Sequence, residues 1–196
     1  MEKTLKQASS DCLKIVLFGP ESTGKTTLAK QLAAHFNTEW VPEYMRTYLE
    51  EKWEVYQQKI TKKDLVPIAV GQIKTENELA EKTNTVLFLD TNILEIKVYS
   101  QYYYDGFCPE EILKICNSAT YDFYFLTGID VPWEADELRD RPYDRIELFR
   151  IFENQLLQKK LPYQILEGSI EERLSHAIEI ITNLLSKTAY VTTRRS

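Results

Sequence analysis

The stretch Gly19-Pro20-Glu21-Ser22-Thr23-Gly24-Lys25-Thr26 matches the pattern G-x-x-x-x-G-K-[ST] at every fixed position. Such a loop needs glycines because backbone N–H groups must turn inward around phosphate oxygens, where a side chain would collide. A helix that starts directly after it offers its positive end to the same anion. Lys25 adds a point charge suited to β- and γ-phosphates, and Thr26 a hydroxyl suited to Mg²⁺. The flanks agree. Lys14 to Phe18 is a short apolar run that reads as a buried strand, and from Gly24 to Phe36 the apolar residues Leu28, Leu32 and Phe36 recur at helical spacing. An ordinary glycine-rich turn is the competing reading, and strand before with helix after counts against it.

Working outward, Trp40 to Pro42 reads as a short extended piece and Glu43 to Glu51 as helical. Asp64 has the look of an N-cap for a helix carrying Leu65, Ile68, Ala69, Gln72, Ile73, Glu76 and Leu79 on one face. Thr85 to Leu89 is a second buried strand closed by Asp90, and the helix after it carries Leu94, Val98 and Tyr102, with Gly106 as its stop. Pro109, Glu110 and Glu111 open another helix. Asp122 to Leu126 and Tyr163 to Leu166 are further strands, separated by an irregular charged stretch from Pro132 to Asp144 and a helix marked by Ile146, Phe149, Phe152 and Leu156. A last helix from about Ile170 carries Leu174, Ala177, Ile178, Ile181 and Leu184 on one stripe. Strands alternating with helices predict an α/β fold, a three-layer sandwich around a mainly parallel sheet. We expect one domain over residues 1–196, a short lid at about 132–146, and fraying of about the first 12 and last 7 residues.

Composition narrows the function. Hydrophobic residues make up 43% and charged residues 28%, ordinary usage for a packed domain. The net charge of −6 has the wrong sign for a chain that must neutralise the phosphates of a nucleic acid, so the expected partner is a small molecule, with no nucleic acid and no membrane. Cys12, Cys108 and Cys116 are irregularly spaced and form no zinc pattern, which fits a reducing cytoplasm. Neither a leader-like apolar stretch in Met1 to Asp11 nor a later run long enough to cross a bilayer is evident in the sequence.

Several residues are candidates for chemistry beside the loop. Asp90, at the carboxyl end of its strand, is placed to hold Mg²⁺ or its water, and capping the next helix is its other use. Glu43 and Arg46 follow the Trp40 to Pro42 piece at the same edge: a carboxylate there can take a proton from a hydroxyl, and an arginine can steady a transferring phosphoryl group. A solvated ion pair between the two is the plain alternative. Arg139, Arg141 and Arg145 are interleaved with Asp136, Asp140 and Asp144, which reads either as a mobile cover delivering arginines or as surface self-pairing. Trp133 could stack on a flat ring or simply pack. His35 and His176 stand alone on helices and read as surface or packing residues, and Tyr102, Tyr103 and Tyr104 as a helix end with one buried face and one exposed rim.

With these residues in hand, the chain resembles the ribosylnicotinamide kinase domain of NadR-type NAD-biosynthesis proteins, a P-loop kinase family related in fold to nucleoside and nucleotide kinases. The similar segments are Gly19 to Ala29, Val41-Pro42-Glu43-Tyr44-Met45-Arg46, Phe88-Leu89-Asp90-Thr91, and Asp130-Val131-Pro132-Trp133 with Asp136, Leu138 and Arg139. The first is shared by many ATPases; the glutamate-aromatic-arginine and Pro-Trp-to-Arg pieces are more specific. The resemblance implies phosphorylation of the ribose 5′-hydroxyl of nicotinamide riboside by ATP and Mg²⁺, giving nicotinamide mononucleotide. Carried over, it puts Gly19, Glu21, Ser22, Thr23, Gly24, Lys25, Thr26, Thr27 and Arg145 on the nucleotide, and Thr26 and Asp90 on the metal. It puts Glu43, Tyr44, Arg46, Asn92, Trp133 and Asp136 on the acceptor, and Lys25, Glu43, Asp90, Arg139 and Arg141 in catalysis. The family commonly has a second acid two positions after the strand-end aspartate, where this chain has Asn92. The adenylyltransferase and DNA-binding parts of longer members are not expected in 196 residues. A kinase for another nucleoside, nucleotide or small metabolite is the second reading, and an ATP-binding switch module with slow ATPase activity the third.

Overall fold

The computed structural model describes residues 5–134 and 143–193. Val16 and Phe18 point to one side of the first strand, β1 (Leu13–Phe18), while Ile15 and Leu17 point to the other, and all four are fully buried. A strand apolar on both faces must be covered on both, and it is. Five parallel strands lie in the order β2-β3-β1-β4-β5, the others being β2 (Trp40–Val41), β3 (Val86–Asp90), β4 (Phe123–Thr127) and β5 (Tyr163–Leu166).

One face packs on α1 (Lys25–Phe36) and α7 (Ile170–Thr193), through Leu28, Ala29, Leu32, Ala177 and Ile181. The opposite face packs on α4 (Ile93–Tyr103) and α6 (Arg145–Lys159), through Leu94, Val98, Leu148, Phe152 and Leu156. A third cluster joins α3 (Leu65–Ala80), α4 and α5 (Glu110–Ser118) through Ile68, Ile73, Ile96, Ile112 and Ile115, and α2 (Tyr44–Tyr56) leans on it with Tyr44 and Met45.

Register decides where the chemistry falls. Leu17 pairs with Asp90 and Phe18 with Leu126, so the turn after β1 opens between the ends of β3 and β4, where the crossovers change direction. Val41 pairs with Leu89, which brings Pro42 and Glu43 to the same carboxyl edge as Asp90.

Several expectations change. Asp64 does not cap α3 with its side chain: its carboxylate turns back onto the N–H and hydroxyl of Thr61, at 2.7 and 2.9 Å, closing a capping box over the 3₁₀ turn Lys62–Asp64. It also takes Lys52 at 2.6 Å and Tyr48 at 2.8 Å, because α2 folds over that turn. The early chain is tied down, Gln7 bonding Glu76 and Thr120 and the Ala8 N–H bonding Asn77. Ile146 is 59% exposed, and Leu148 takes the buried place expected of it. Helix α7 runs through Tyr190 to Thr193, and α2 runs on past Glu51 to Tyr56. Both histidines are exposed, as their isolation on helices suggested.

Candidate functional site

Gly19 has φ near 137°, and a Cβ there would lie 2.8 Å from the Thr127 hydroxyl and 3.1 Å from its carbonyl. Only glycine lets the loop leave β1 in contact with the end of β4. Thr127 then ties the loop down, its hydroxyl 2.7 Å from that of Thr23, while Thr23 also bonds the Pro20 carbonyl at 2.8 Å. Gly24, left-handed at φ 83°, caps α1, whose start carries Lys25 and Thr26. The Lys25 ammonium curls back to the carbonyls of Gly19, at 2.7 Å, and Pro20, at 2.9 Å. Thr26 donates to Asp90 Oδ2 at 2.5 Å. Ser22, Glu21, Thr26 and Thr27 line the open side of the turn, none of them buried.

Asp90 is 2% exposed, and its Oδ1 has no hydrogen-bond partner among the described residues. Burial raises its pKa against the pull of Lys25 and the bond from Thr26. A hydroxyl and an orphaned carboxylate oxygen side by side are hard donors of the kind Mg²⁺ takes together with phosphate oxygens and water. Among the described residues no group of three His, Cys, Asp or Glu side chains could hold a metal by itself. After Asp90 the chain turns through Thr91 at φ 75°, a strained conformation for a β-branched residue, stored where the strand meets the site.

Glu43 precedes α2 on the turn after β2. That turn is held by Gln72, 1% exposed, whose Oε1 accepts the Tyr44 N–H at 2.8 Å and whose Nε2 donates to the Pro42 carbonyl at 3.4 Å. Gly71 leaves room for it: a Cβ there would sit 2.0 Å from the Tyr44 ring. Burial raises the Glu43 pKa, Asp90 repels the charge further, and Lys25 and Arg46 oppose. Arg46 faces the same acids from the next turn, with Glu50 at 4.0 Å.

Two residues that local spacing does not single out belong to the site. Glu95, 2% exposed on α4, lies 3.4 Å from the Lys25 ammonium. Its Oε2 has no partner among the described residues, and burial pushes its pKa to about 8, Lys25 pulling down and Glu43 and Asp90 pushing up. In sequence it reads as a third-position acid behind an N-cap, which hides it. Arg173 on α7, 2% exposed, donates to the carbonyls of Thr23 at 2.9 Å and Gly168 at 3.0 Å and pairs closely with Asp130, bracing the loop from behind. The Asp130 that opens the Pro-Trp segment is the sole sequence hint of it.

The structure gathers Gly19 through Thr27, Glu43, Arg46 and Asp90 at one edge. Tyr44 packs on Gly71 instead, its ring turned to α3. Asn92 is a correction: fully buried, it caps α4 with Oδ1 on the N–H groups of Leu94 and Glu95, at 3.1 and 3.3 Å, and gives Nδ2 to the Tyr124 hydroxyl at 3.1 Å. An aspartate at that position would make the same cap, so the missing acid is a local substitution in helix capping. Arg145 donates to the carbonyls of Val131 at 2.9 Å and Ser22 at 3.1 Å, with the Trp133 ring 5.9 Å away. That places Arg145 and Trp133 on the rim of the loop. Asp136, Arg139 and Arg141, with most of the expected lid, lie outside the described residues.

Fold and site together define a P-loop α/β nucleotide-binding domain. A family model described as an AAA domain matches residues 14–173, and the chain belongs to that family. It is 23% identical over 176 residues to the trifunctional NAD biosynthesis/regulator protein NadR of Salmonella typhimurium, covering 88% of this chain. The chain spans 43% of the length of that relative. Among solved structures it is similar to NadR protein in complex with NR, with TM-score 0.73 and 23% identity over 90% of this chain and 50% of that one. It is also similar to deoxyadenosine kinase from M. mycoides, with TM-score 0.66 and 14% identity over 87% of this chain and all of that one. At these identities the structural likeness speaks to fold, the nucleoside/nucleotide-kinase-like sandwich expected from the sequence. Among the described residues no helix is long and apolar enough to cross a membrane, and all three cysteines are free.

Proposed function

We propose that this domain is an ATP-dependent kinase of the cytoplasm that phosphorylates the 5′-hydroxyl of nicotinamide riboside, giving nicotinamide mononucleotide. The observation that carries the reading is the convergence of Glu43 with Lys25 and Asp90 at the carboxyl edge of the sheet, an acid beyond what phosphate binding needs. A switch protein needs the loop and the strand-end aspartate; a kinase also needs a base on the far side of the γ-phosphate.

In this reading the amides of Gly19 to Thr26 surround the phosphates, and Lys25 reaches the β- and γ-oxygens. Thr26 and Asp90 would hold Mg²⁺, which would supply positive charge against the charge that develops on the phosphates. Glu43, its pKa raised by burial, takes the hydroxyl proton as the ribose oxygen bonds to the γ-phosphorus and the bond to the bridging oxygen breaks, releasing ADP. We assign Arg46, Arg139 and Arg141 to steadying the phosphoryl group and Trp133 and Asp136 to the acceptor base, while Arg145 backs the nucleotide loop. The acceleration comes from positioning and charge, with no covalent intermediate.

The test is a panel of nicotinamide riboside, adenosine, deoxyadenosine and nicotinamide mononucleotide, with ADP and product measured for each. Nicotinamide riboside should give one product per ADP. No turnover above the ATPase background with it retires the acceptor. Turnover with a deoxynucleoside installs the second reading, which the likeness to deoxyadenosine kinase favours. Hydrolysis with no acceptor phosphorylated leaves the switch.

A further inference from the structure

Two guanidinium groups hold consecutive main-chain carbonyls of the phosphate loop. Arg145 Nη2 donates to the Ser22 carbonyl at 3.1 Å, and Arg173 Nη1 to the Thr23 carbonyl at 2.9 Å. Arg173 is itself fixed. Its Nε donates to the Gly168 carbonyl at 3.0 Å and its Nη2 to the Gly128 carbonyl at 3.4 Å, and Asp130 pairs with it while accepting the Gly168 N–H at 2.6 Å. Arg145 is held by the Val131 carbonyl at 2.9 Å. The two cations repel, and Asp130 attracts both. A trans peptide unit is planar, with its C=O and N–H pointing in opposite directions, and no cis bond occurs among the described residues. The Ser22 carbonyl shares its unit with the Thr23 N–H, and the Thr23 carbonyl with the Gly24 N–H. Each carbonyl drawn towards an arginine therefore sends the next N–H away from it. Neither N–H has an acceptor among the described residues. Ser22, at φ 57°, and Gly24, at φ 83°, are left-handed on either side of Thr23, the alternation that turns successive N–H groups into one concave anion site. For serine that backbone carries a steric cost, so a contact must hold it.

We propose that Arg145 and Arg173 are positioning residues that aim the Thr23 and Gly24 amides at the phosphates by holding the Ser22 and Thr23 carbonyls behind the loop, without touching the nucleotide themselves. Arg145 sets the first amide and Arg173 the second. Asp130 keeps Arg173 in place, which gives the acid that opens the Pro-Trp segment its use. The amides are aimed before the ligand arrives, so binding need not reorganise the loop. The inference rests on nucleotide binding at the loop, as proposed above, and holds whichever acceptor is phosphorylated.

The experiment follows the Thr23 and Gly24 amides by ¹H–¹⁵N correlation while AMP-PNP with Mg²⁺ is titrated, with calorimetry for the affinity, in the wild type, Arg173→Lys and Arg145→Lys. In the wild type both amide protons should move downfield as they bond to phosphate. Lysine keeps the charge and loses the planar fork that spans several acceptors. Arg173→Lys should bind AMP-PNP about tenfold more weakly, the scale of one charge-assisted hydrogen bond, with the Gly24 shift cut by about half or more and the Thr23 shift kept. Arg145→Lys should reverse the pattern, losing the Thr23 shift and keeping that of Gly24. A general loosening of the loop cannot give that crossing. Wild-type shifts and affinity in both variants overturn the proposal, as does an equal loss at both amides in each, which would mark the arginines as props of the fold. Should Arg173→Lys fail to fold, the Thr23 shift in Arg145→Lys decides. Uptake of AMP-PNP by the wild type with both amides unmoved sinks this inference alone; no uptake sinks it together with the nucleotide reading.

Discussion

Glu76 and Glu95 are both buried glutamates on helices beside the sheet, and each has a lysine within 3.4 Å. Around Glu76 every oxygen is used: Lys14 at 3.0 Å and Gln7 at 2.6 Å reach Oε1, and Tyr121 reaches Oε2 at 3.0 Å. Around Glu95 one oxygen is shared weakly with Lys25 and the other is bare, and a bare Asp90 oxygen belongs to the same edge. Buried carboxylates cost desolvation in both places. At Glu76 the partners offset it; at Glu95 and Asp90 the partners are Lys25 and the Thr26 hydroxyl, and one oxygen of each acid is left over. In the proposed reading, satisfaction marks an acid that holds the fold, and incomplete satisfaction marks one reserved for a ligand.

The sharpest break of that contrast removes one partner from each pair. Lys25→Ala should cut turnover by about 10²–10³-fold or more, the scale of losing one transition-state charge contact, while the denaturation midpoint moves little. Glu76→Ala should do the reverse. It strands the Lys14 charge inside the protein, costs about 3–5 kcal/mol in urea denaturation, and leaves kcat per folded molecule unchanged. Equal stability losses for the two variants would erase the distinction.

A smaller effect joins packing to chemistry. Gly71→Ala forces its new methyl into the Tyr44 ring, and overpacking of this kind costs about 1–3 kcal/mol. Because Tyr44 follows Glu43, kcat should fall as well; a stability loss with intact kcat would show that the turn tolerates the shift. The smallest effect sharpens the satisfied side. Burial alone would raise the Asp64 pKa, yet the bonds from Lys52, Thr61 and Tyr48 prevail and bring it from 3.8 to about 2. A lowered folded pKa gives stability that is complete above the unfolded value and lost as pH falls through the folded one. Wild type should therefore melt above Asp64→Asn near pH 6, with the gap closing between pH 4 and pH 2; a gap constant over that window would remove the charge from the account.

Local pattern carried much of the fold. The strand beginning near Lys14 and the one beginning at Tyr163, the helix behind Lys25 and the stop at Gly106 all depend on neighbours within a turn or two, which spacing can see. Where it misled, another partner had claimed the side chain. Asp64 has the residue type of a helix cap, but Thr61, Tyr48 and Lys52 claimed its carboxylate. Asn92 sat in a ligand-like position and capped a helix instead. Arg173 reaches Thr23 across 150 positions, and nothing in its own surroundings announces that.

The sequence by itself determined the phosphate loop, the alternation of strand and helix, and the acids and arginines available at strand ends, because glycine placement and apolar periodicity are local consequences of backbone geometry. Only the tertiary structure decided which of those acids face one another, for a carboxylate's state depends on what burial removes and what remote partners supply. Glu76 and Glu95 are the same residue type with opposite surroundings, and that difference exists only once the chain has closed around them.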